Sequence, residues 1–351
     1  GRTFPMVPLF GLSFPQNPDW DQVQAWLTLV WLGGAVLFPR SKNWPAALMA
    51  WFGWLILQDQ NRLQPWMYFY LLSWGLLWLA PARRPELSDT WLRWLIAAVY
   101  AWGGFNKITP YFAADNFPWF CEAFFWTKPL GQSPVAGYAV ALAELLFAPA
   151  LLWGKTRRVA RWMVVGFHVF IAAALSPAGL DWNTVVIPWN LAMAGMVWVL
   201  FAPGQQAQPL QTGVEIPPII RATPPAALIS LALAWLFPVL NIFHAWDEPL
   251  SWKMYSNTQT EASFYTTGTP CPEIAGIWKK FAYDEGTKLL LDDWSMYELH
   301  VPAYNSPRTF RQIARYLCSC SSGEAGLLLL SVGRWDKSAQ QETFISCKDP
   351  F

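Results

Sequence analysis

The chain has 351 residues and a formal net charge of +1, with charged residues at 13% and hydrophobic residues at 54%. An ordinary soluble domain runs near ~25% charged, so this composition excludes one, and without a basic excess there is no electrostatic case for a nucleic-acid partner. The 25 tryptophans and 23 phenylalanines suit a membrane protein with aromatic belts at both interfaces. The sequence starts at Gly1 without a methionine, which points to processing, truncation or incomplete assignment, and no classical signal-peptide pattern follows.

A membrane helix needs roughly 20 mostly apolar residues. In chain order, eight segments come near that length: 22–39, 43–58, 65–81, 90–106, 133–153, 158–176, 183–202 and 224–243. Short polar connections such as "PARRPELSD" and "GKTRRVAR" separate them, and Trp, Pro and Gly punctuate their ends. Arg40, Lys42, Arg83, Arg84, Lys155, Arg157, Arg158 and Arg221 fall in alternate connections, whereas the others hold only Arg62, Lys107 and Lys128. By the positive-inside rule the first set faces the cytoplasm. The amino terminus, the Lys107 loop and the carboxy-terminal tail are then external.

Beyond about residue 245 the composition turns polar and no spanning segment follows. "SPRTFRQIARYL" reads as a Ser-capped helix, and "AGLLLLSVGRWDKSAQQETFISC" as two strands around a polar turn. The expected architecture is an all-α polytopic bundle of about eight transmembrane helices with a small C-terminal α+β extracytoplasmic domain. Its divisions are an external segment over 1–21, a helical membrane domain over 22–244 and the tail over 245–351. Four cysteines, Cys271, Cys318, Cys320 and Cys347, lie in the tail, and an exported domain with an even count suggests two disulfides. Cys318 and Cys320 are too close in sequence to pair without strain, so each is expected to bridge to Cys271 or Cys347. "CSC" lacks the spacing of a zinc site, so no metal is expected.

Ionisable groups in apolar segments are functional candidates by default. They are Asp59, Arg62, Lys107, Glu144, His168 and Asp181, with Tyr68 and Tyr70 in the first turns of the third segment. The external topology allows Asp59, Arg62, Tyr68, Tyr70, Lys107, Glu144 and His168 to line one outward-facing cavity. Each also has a simpler reading. Lys107 in "GGFNKITPYF" could snorkel to the interface. Glu144 in "ALAELLF" could satisfy a buried partner on a neighbouring helix. His168 in "GFHVF" could be a satisfied packing residue, and Asp59 and Arg62 could pair with each other. "FPWFCEAFFW" looks like an interfacial amphipathic stretch with a lone Cys121. No P-loop, G-x-G-x-x-G, C-x-x-C-H or G-x-S-x-G occurs.

Four stretches, "DQNRLQPWMYFYLL" (59–72), "YAWGGFNKITPYF" (100–112), "ALAELLFAPALLW" (141–153) and "GFHVFIAAALSPAGLDWNTVVIPWNLAM" (166–193), taken in this order, resemble one membrane superfamily. It contains DoxX and MauE proteins and the HTTM domain of vitamin K-dependent gamma-carboxylases. Asp59 with Tyr68 and Tyr70, Gly104 with Lys107 and Ile108, Phe167–His168, and "LSWKM" at 250–254 are similar to the gamma-carboxylase pattern. In that family the lysine deprotonates vitamin K hydroquinone, which implies Lys107 as an acid–base residue here. The pattern departs at Trp66, where the family has histidine, and at "KITPYF", which replaces an acidic continuation. DoxX and MauE proteins share the lysine motif and are linked to quinone or thiol redox systems. The resemblance therefore implies a quinone or similar apolar redox molecule as ligand, in a bacterial inner membrane. The alternatives are a non-catalytic accessory subunit beside other membrane proteins and, third, glutamate carboxylation. Substituted-cysteine labelling is expected to find the loops with Arg83 and Arg157 cytoplasmic and position 300 external; a cytoplasmic tail would overturn both the orientation and the disulfide argument.

Overall fold

The computed structural model describes residues 2–11, 18–39, 41–81, 85–203, 223–335 and 340–349. Arg40, Arg83, Arg84 and Arg221, four of the cations that orient the chain, lie outside the described residues. All eight apolar segments are helical: α1 (Pro18–Leu37), α2 (Asn43–Gln58), α3 (Pro65–Leu79), α4 (Pro85–Lys107), α7 (Pro134–Leu152), α8 (Arg157–Leu175), α9 (Val186–Leu200) and the pair α10 (Pro225–Trp235) and α11 (Phe237–Asn241). Two short helices, α5 (Phe117–Cys121) and α6 (Lys128–Gly131), follow a π-helical turn over Phe112–Asn116. By length and composition, two helices among the described residues, α7 and α8, are able to cross a membrane. At 19 residues each they reach about 28 Å, close to the hydrocarbon thickness. The structure thus shows a mostly helical protein with a C-terminal sheet, and among the described residues two of the eight expected spans meet the length and composition of a membrane-crossing helix. The reason lies in the segments themselves. α9 has 15 residues, α10 breaks from α11 at Leu236, and α4 carries Glu86, Asp89 and Arg93 in its first half.

The chain forms two compact units that cut across the ranges expected from composition. One comprises Gly1–Val30, Trp51–Gln64 and Thr258–Phe351; the other comprises Trp31–Ala50 and Pro65–Asn257.

The first unit holds the α+β tail. Its antiparallel sheet has the order β2-β3-β1-β4-β5, with β1 Glu261–Thr266, β2 Ala282–Tyr283, β3 Lys288–Leu290, β4 Ala325–Val332 and β5 Gln340–Ser346. Three helices accompany it, α12 (Ala275–Phe281), α13 (Leu291–Leu299) and α14 (Pro307–Cys320). The Ser306 hydroxyl caps α14 by accepting from Thr309 N–H, and Phe310, Ile313, Ala314 and Leu317 put one apolar stripe at helical spacing. That stripe shares a core with Phe264, Leu289, Trp294 and Leu327. Cys271–Cys320 and Cys318–Cys347 are the disulfides: neighbouring Cys318 and Cys320 bridge outward as expected, and the structure selects the crossed pairing of the two that remained open. Cys271, Glu273 and Cys320 approach as metal ligands do, but both thiols of that group are spent on their own disulfide.

The beginning of the chain completes this core. Phe4 and Val7 are buried in it, with Phe4 edge-on to Trp294 at 4.7 Å. Asp59 ties the strap down: one carboxylate oxygen is 2.6 Å from Arg2 Nη1 in an ion contact, and the other accepts from Val7 N–H, Asn61 N–H and Asn61 Nδ2. Asn61 Oδ1 accepts from Tyr304 N–H at 2.9 Å, and Gln64 Nε2 donates to the Pro302 carbonyl. Arg62 turns to Asp21 at 3.0 Å and to Gln24. Asp59 and Arg62 therefore pair, but with Arg2 and Asp21 rather than with one another. Asp59→Ala removes a buried partner from several donors and is expected to cost roughly 3 kcal/mol or more. Ser306→Ala, the loss of a helix cap, is expected to cost about 1 kcal/mol. Thermal unfolding in detergent reads the order, and equal losses would refute the strap as a stabilising element.

A buried polar cluster on four apolar helices

In the second unit, α4 has charges that suit its helix dipole, with Glu86 in its first turn and Lys107 in its last. The Lys107 ammonium does not reach out to water. It is 2.9 Å from Glu144 Oε1 on α7, and the two side chains are only 9% and 7% exposed. Of the two elementary readings one holds: the buried partner that Glu144 requires is Lys107, whereas burial removes Lys107 from the interface where it would snorkel.

The glycines before the lysine make this contact sterically possible. A Cβ on Gly104 would fall 2.2 Å from Leu145 N and 2.6 Å from Leu145 Cα, so α4 and α7 touch backbone to backbone there. A Cβ on Gly103 would fall 2.7 Å from Glu144 Oε1, so that position is kept open for the carboxylate. Glycine costs about 0.5–1 kcal/mol relative to alanine inside a helix, and here the close approach requires it.

One and two turns earlier on the same face of α4 stands Tyr100, at the helical offsets of Gly103, Gly104 and Lys107. Its hydroxyl is 2.7 Å from His168 Nε2 on α8, and His168 Nδ1 is 2.8 Å from Asn190 Oδ1 on α9. Asn190 Nδ2 donates to the Val186 carbonyl at 2.9 Å, which fixes Oδ1 as the acceptor. His168 must then carry its proton on Nδ1, and neutral Nε2 accepts from the Tyr100 hydroxyl. Glu144 lies within electrostatic reach of Tyr100, and Lys107 of His168, so the ion pair and the Tyr–His–Asn chain act as one cluster. Glu144 Oε2 is buried with no hydrogen-bond partner among the described residues.

Residues 246–257 close over this end of α4. Asn106 Nδ2 donates to the Ser251 carbonyl, Thr109 Oγ1 to that of Ser256, and Asn116 Nδ2 to that of Tyr255. Trp252 is fully buried, its ring 5.2 Å from that of Tyr68 and its Nε1 donating to the Ala234 carbonyl. This is why the helical unit runs on to Asn257. Asn183 Nδ2 donates to the Tyr255 hydroxyl at 3.1 Å, and burial pushes that hydroxyl well above its ordinary range.

The other expected wall residues have different duties. The Tyr68 hydroxyl donates to the Leu233 carbonyl at 3.1 Å. Tyr70 is half-buried among Trp74 and Trp189. Asp59 and Arg62 belong to the first unit, with the partners given above. Of the sequence candidates, Lys107, Glu144 and His168 come together. Tyr100 and Asn190 were missed, and the signal for them was an amide within the apolar "IPWNLAM" and a tyrosine seven residues before the lysine.

Apolar helices with a buried acid–base cluster define a protein of the membrane type. Residues 85–185 match the family model of the methylamine utilisation protein MauE. That stretch runs from the start of α4 to just before α9, holds Tyr100, Lys107, Glu144 and His168, and covers less than half of the chain. It is similar to the MauE family there, and with the apolar helices it supports an integral membrane protein. No curated protein and no solved structure matches the chain.

Gly104→Ala forces backbones apart, whereas a Cβ on Gly195 of α9 meets nothing within 4 Å. The first substitution is expected to destabilise the protein by about 1–3 kcal/mol, as overpacking does, and Gly195→Ala to leave it unchanged or raise stability by up to about 1 kcal/mol. Melting temperatures in detergent check the opposite signs.

Proposed function

We propose that the protein is an integral membrane protein, threaded by all eight apolar segments with its tail on the non-cytoplasmic side. In this reading the Lys107–Glu144 pair exchanges protons with the head group of a quinone or similar apolar redox molecule. The observation that carries it is the pair itself. Two charged groups are buried in apolar helices, where a salt bridge adds little stability, and one carboxylate oxygen has no hydrogen-bond partner among the described residues. Ionisable groups in that position are costly and mark working sites. The pair holds one proton that either member can pass on. A hydroxyl of a reduced carrier would give its proton to Glu144, with the ammonium beside it offsetting the charge left on the ligand oxygen. Tyr100, held by His168, adds a hydroxyl to the same face.

A second reading is an accessory membrane subunit in which the pair only fastens α4 to α7. It draws on the depth at which Lys107 is enclosed and on the similarity to the MauE family. Glutamate carboxylation ranks third, because Trp66 stands where the carboxylases place histidine.

Lys107→Arg separates these readings. Arginine keeps the charge, a long stem and the contact with Glu144, but it does not give up its proton. The expected outcome is normal insertion and thermal stability, with loss of quinone-linked turnover in proteoliposomes by about a hundredfold or more, the scale of a lost general acid–base group. Native purification followed by lipid and quinone mass spectrometry identifies the ligand. An Arg variant with full turnover, or a purified protein that carries no quinone and binds none, would return the pair to a structural role. Transfer of labelled carbon dioxide to a peptide would establish the third reading.

A further inference from the structure

We infer that the end of the helical unit formed by the last turns of α7 and α9 and the first turn of α8 binds the phosphodiester of an anionic phospholipid, with Arg161 as its principal ligand. Arg93 marks this end on α4, 14 residues before Lys107, or about 21 Å along the helix, so the polar cluster does not use it.

α8 opens with Arg157, Arg158 and, four residues in, Arg161, with no acidic residue in its first turn. A helix amino terminus carries the positive end of the macrodipole and favours anions, so clustered cations are unfavourable there unless something balances them. Two neighbouring arginines have clear duties. Arg157 Nε and Nη2 donate to the Leu151 and Leu152 carbonyls at the end of α7, and Arg93 Nε donates to the Leu200 carbonyl at the end of α9. Helix carboxy termini leave such carbonyls without intrahelical partners and welcome cations.

Arg161 differs from both. It is 7% exposed, and its guanidinium lies 3.6 Å from the centre of the Trp198 ring. Among the described residues it has no hydrogen-bond acceptor and no carboxylate, and its Nε is fully enclosed. The indole covers one face of the cation, but the guanidinium N–H donors lie in its plane and point to the edges. A buried guanidinium without acceptors is costly. A phosphate oxygen pair is the acceptor whose geometry matches the fork.

The surroundings favour a lipid as the source of that phosphate. Trp153, Trp162 and Trp198 are exposed at this end, with the Trp162 and Trp198 rings 4.6 Å apart. Lys155 and Arg158 are exposed beside them. Exposed indoles interleaved with cations are the signature of the headgroup level facing anionic lipid, whereas a free phosphate ion has no use for the rings.

The inference rests on the membrane reading, and the experiment separates the two. The full chain, purified and delipidated in detergent, is offered phosphatidylglycerol, phosphatidylcholine or inorganic phosphate and examined by native mass spectrometry; reconstitution into vesicles is scored in parallel. The wild type is expected to retain phosphatidylglycerol at least about fivefold better than phosphatidylcholine, the factor for one basic residue at an anionic surface. Arg161→Gln is expected to abolish that preference at an unchanged melting temperature, and Arg158→Gln to keep most of it. If Arg161→Gln does not fold, the wild-type comparison decides alone. Equal retention of the two lipids, an unaltered preference in a folded Arg161→Gln variant, or displacement of the lipid by inorganic phosphate would each overturn the inference. Failure to enter vesicles at all would remove the membrane reading and this inference with it.

Discussion

The close approach of α4 and α7 at Gly104 is the constraint on which the rest of the helical unit depends. Leu145 N would stand 2.2 Å from a Cβ there, so only glycine lets the two backbones meet. That meeting sets Glu144 against Lys107 at 2.9 Å. In a water-filled loop the same pair would be worth little. Between apolar helices each charge would be expensive alone, so the approach that the glycines permit is what makes the two side chains compatible with burial. Tyr100, on the same face, then meets His168, and Asn190 fixes which imidazole nitrogen bears the proton. Three tertiary contacts thus follow from one steric allowance.

The Lys107 end of this arrangement is held by a segment in an unusual conformation. Trp252, Tyr255 and Asn257 all have left-handed backbones, with φ of 56°, 53° and 52°. For side chains other than glycine such a conformation costs on the order of 1–2 kcal/mol per residue. It persists because neighbours over-determine it. Asn106, Thr109 and Asn116 bond to its carbonyls, and the Trp252 indole is fully buried with its N–H satisfied. The residues that flank Lys107 in sequence are therefore those that hold the covering segment, which joins the enclosure of the lysine to the end of α4 itself.

The tail unit is stabilised differently. It has an amphipathic helix on an antiparallel sheet, two disulfides, and a strap from the beginning of the chain whose Phe4 and Val7 enter the core. Asp59 is at the centre of that strap, because one carboxylate gathers Arg2, Val7 and Asn61. A small domain with limited apolar area gains much from such closures.

The sequence by itself determined what local chemistry can determine. Apolar segments of near-spanning length became helices, the Ser306 cap and 3,4-spaced apolar residues made α14, and the Cys318/Cys320 spacing excluded a bridge between those two, leaving the choice between the two remaining pairings to the tertiary structure. It also marked Lys107, Glu144 and His168, since a polar residue in an apolar run stands out without any partner in view. Partnership was not legible. Asp59 and Arg62 are three residues apart, yet each finds a partner tens of residues away in sequence, and Tyr68 and Tyr70, which stood out by the same signal, turn to packing duties. Tyr100 and Asn190 are unremarkable residue types in helices, and nothing local says that a histidine lies between them. Nor did composition reveal that residues 246–257 belong with the helices while residues 2–11 belong with the tail. Composition reports how polar a stretch is, but only three-dimensional packing decides whether its hydrogen-bonding groups are met by water or by another part of the chain.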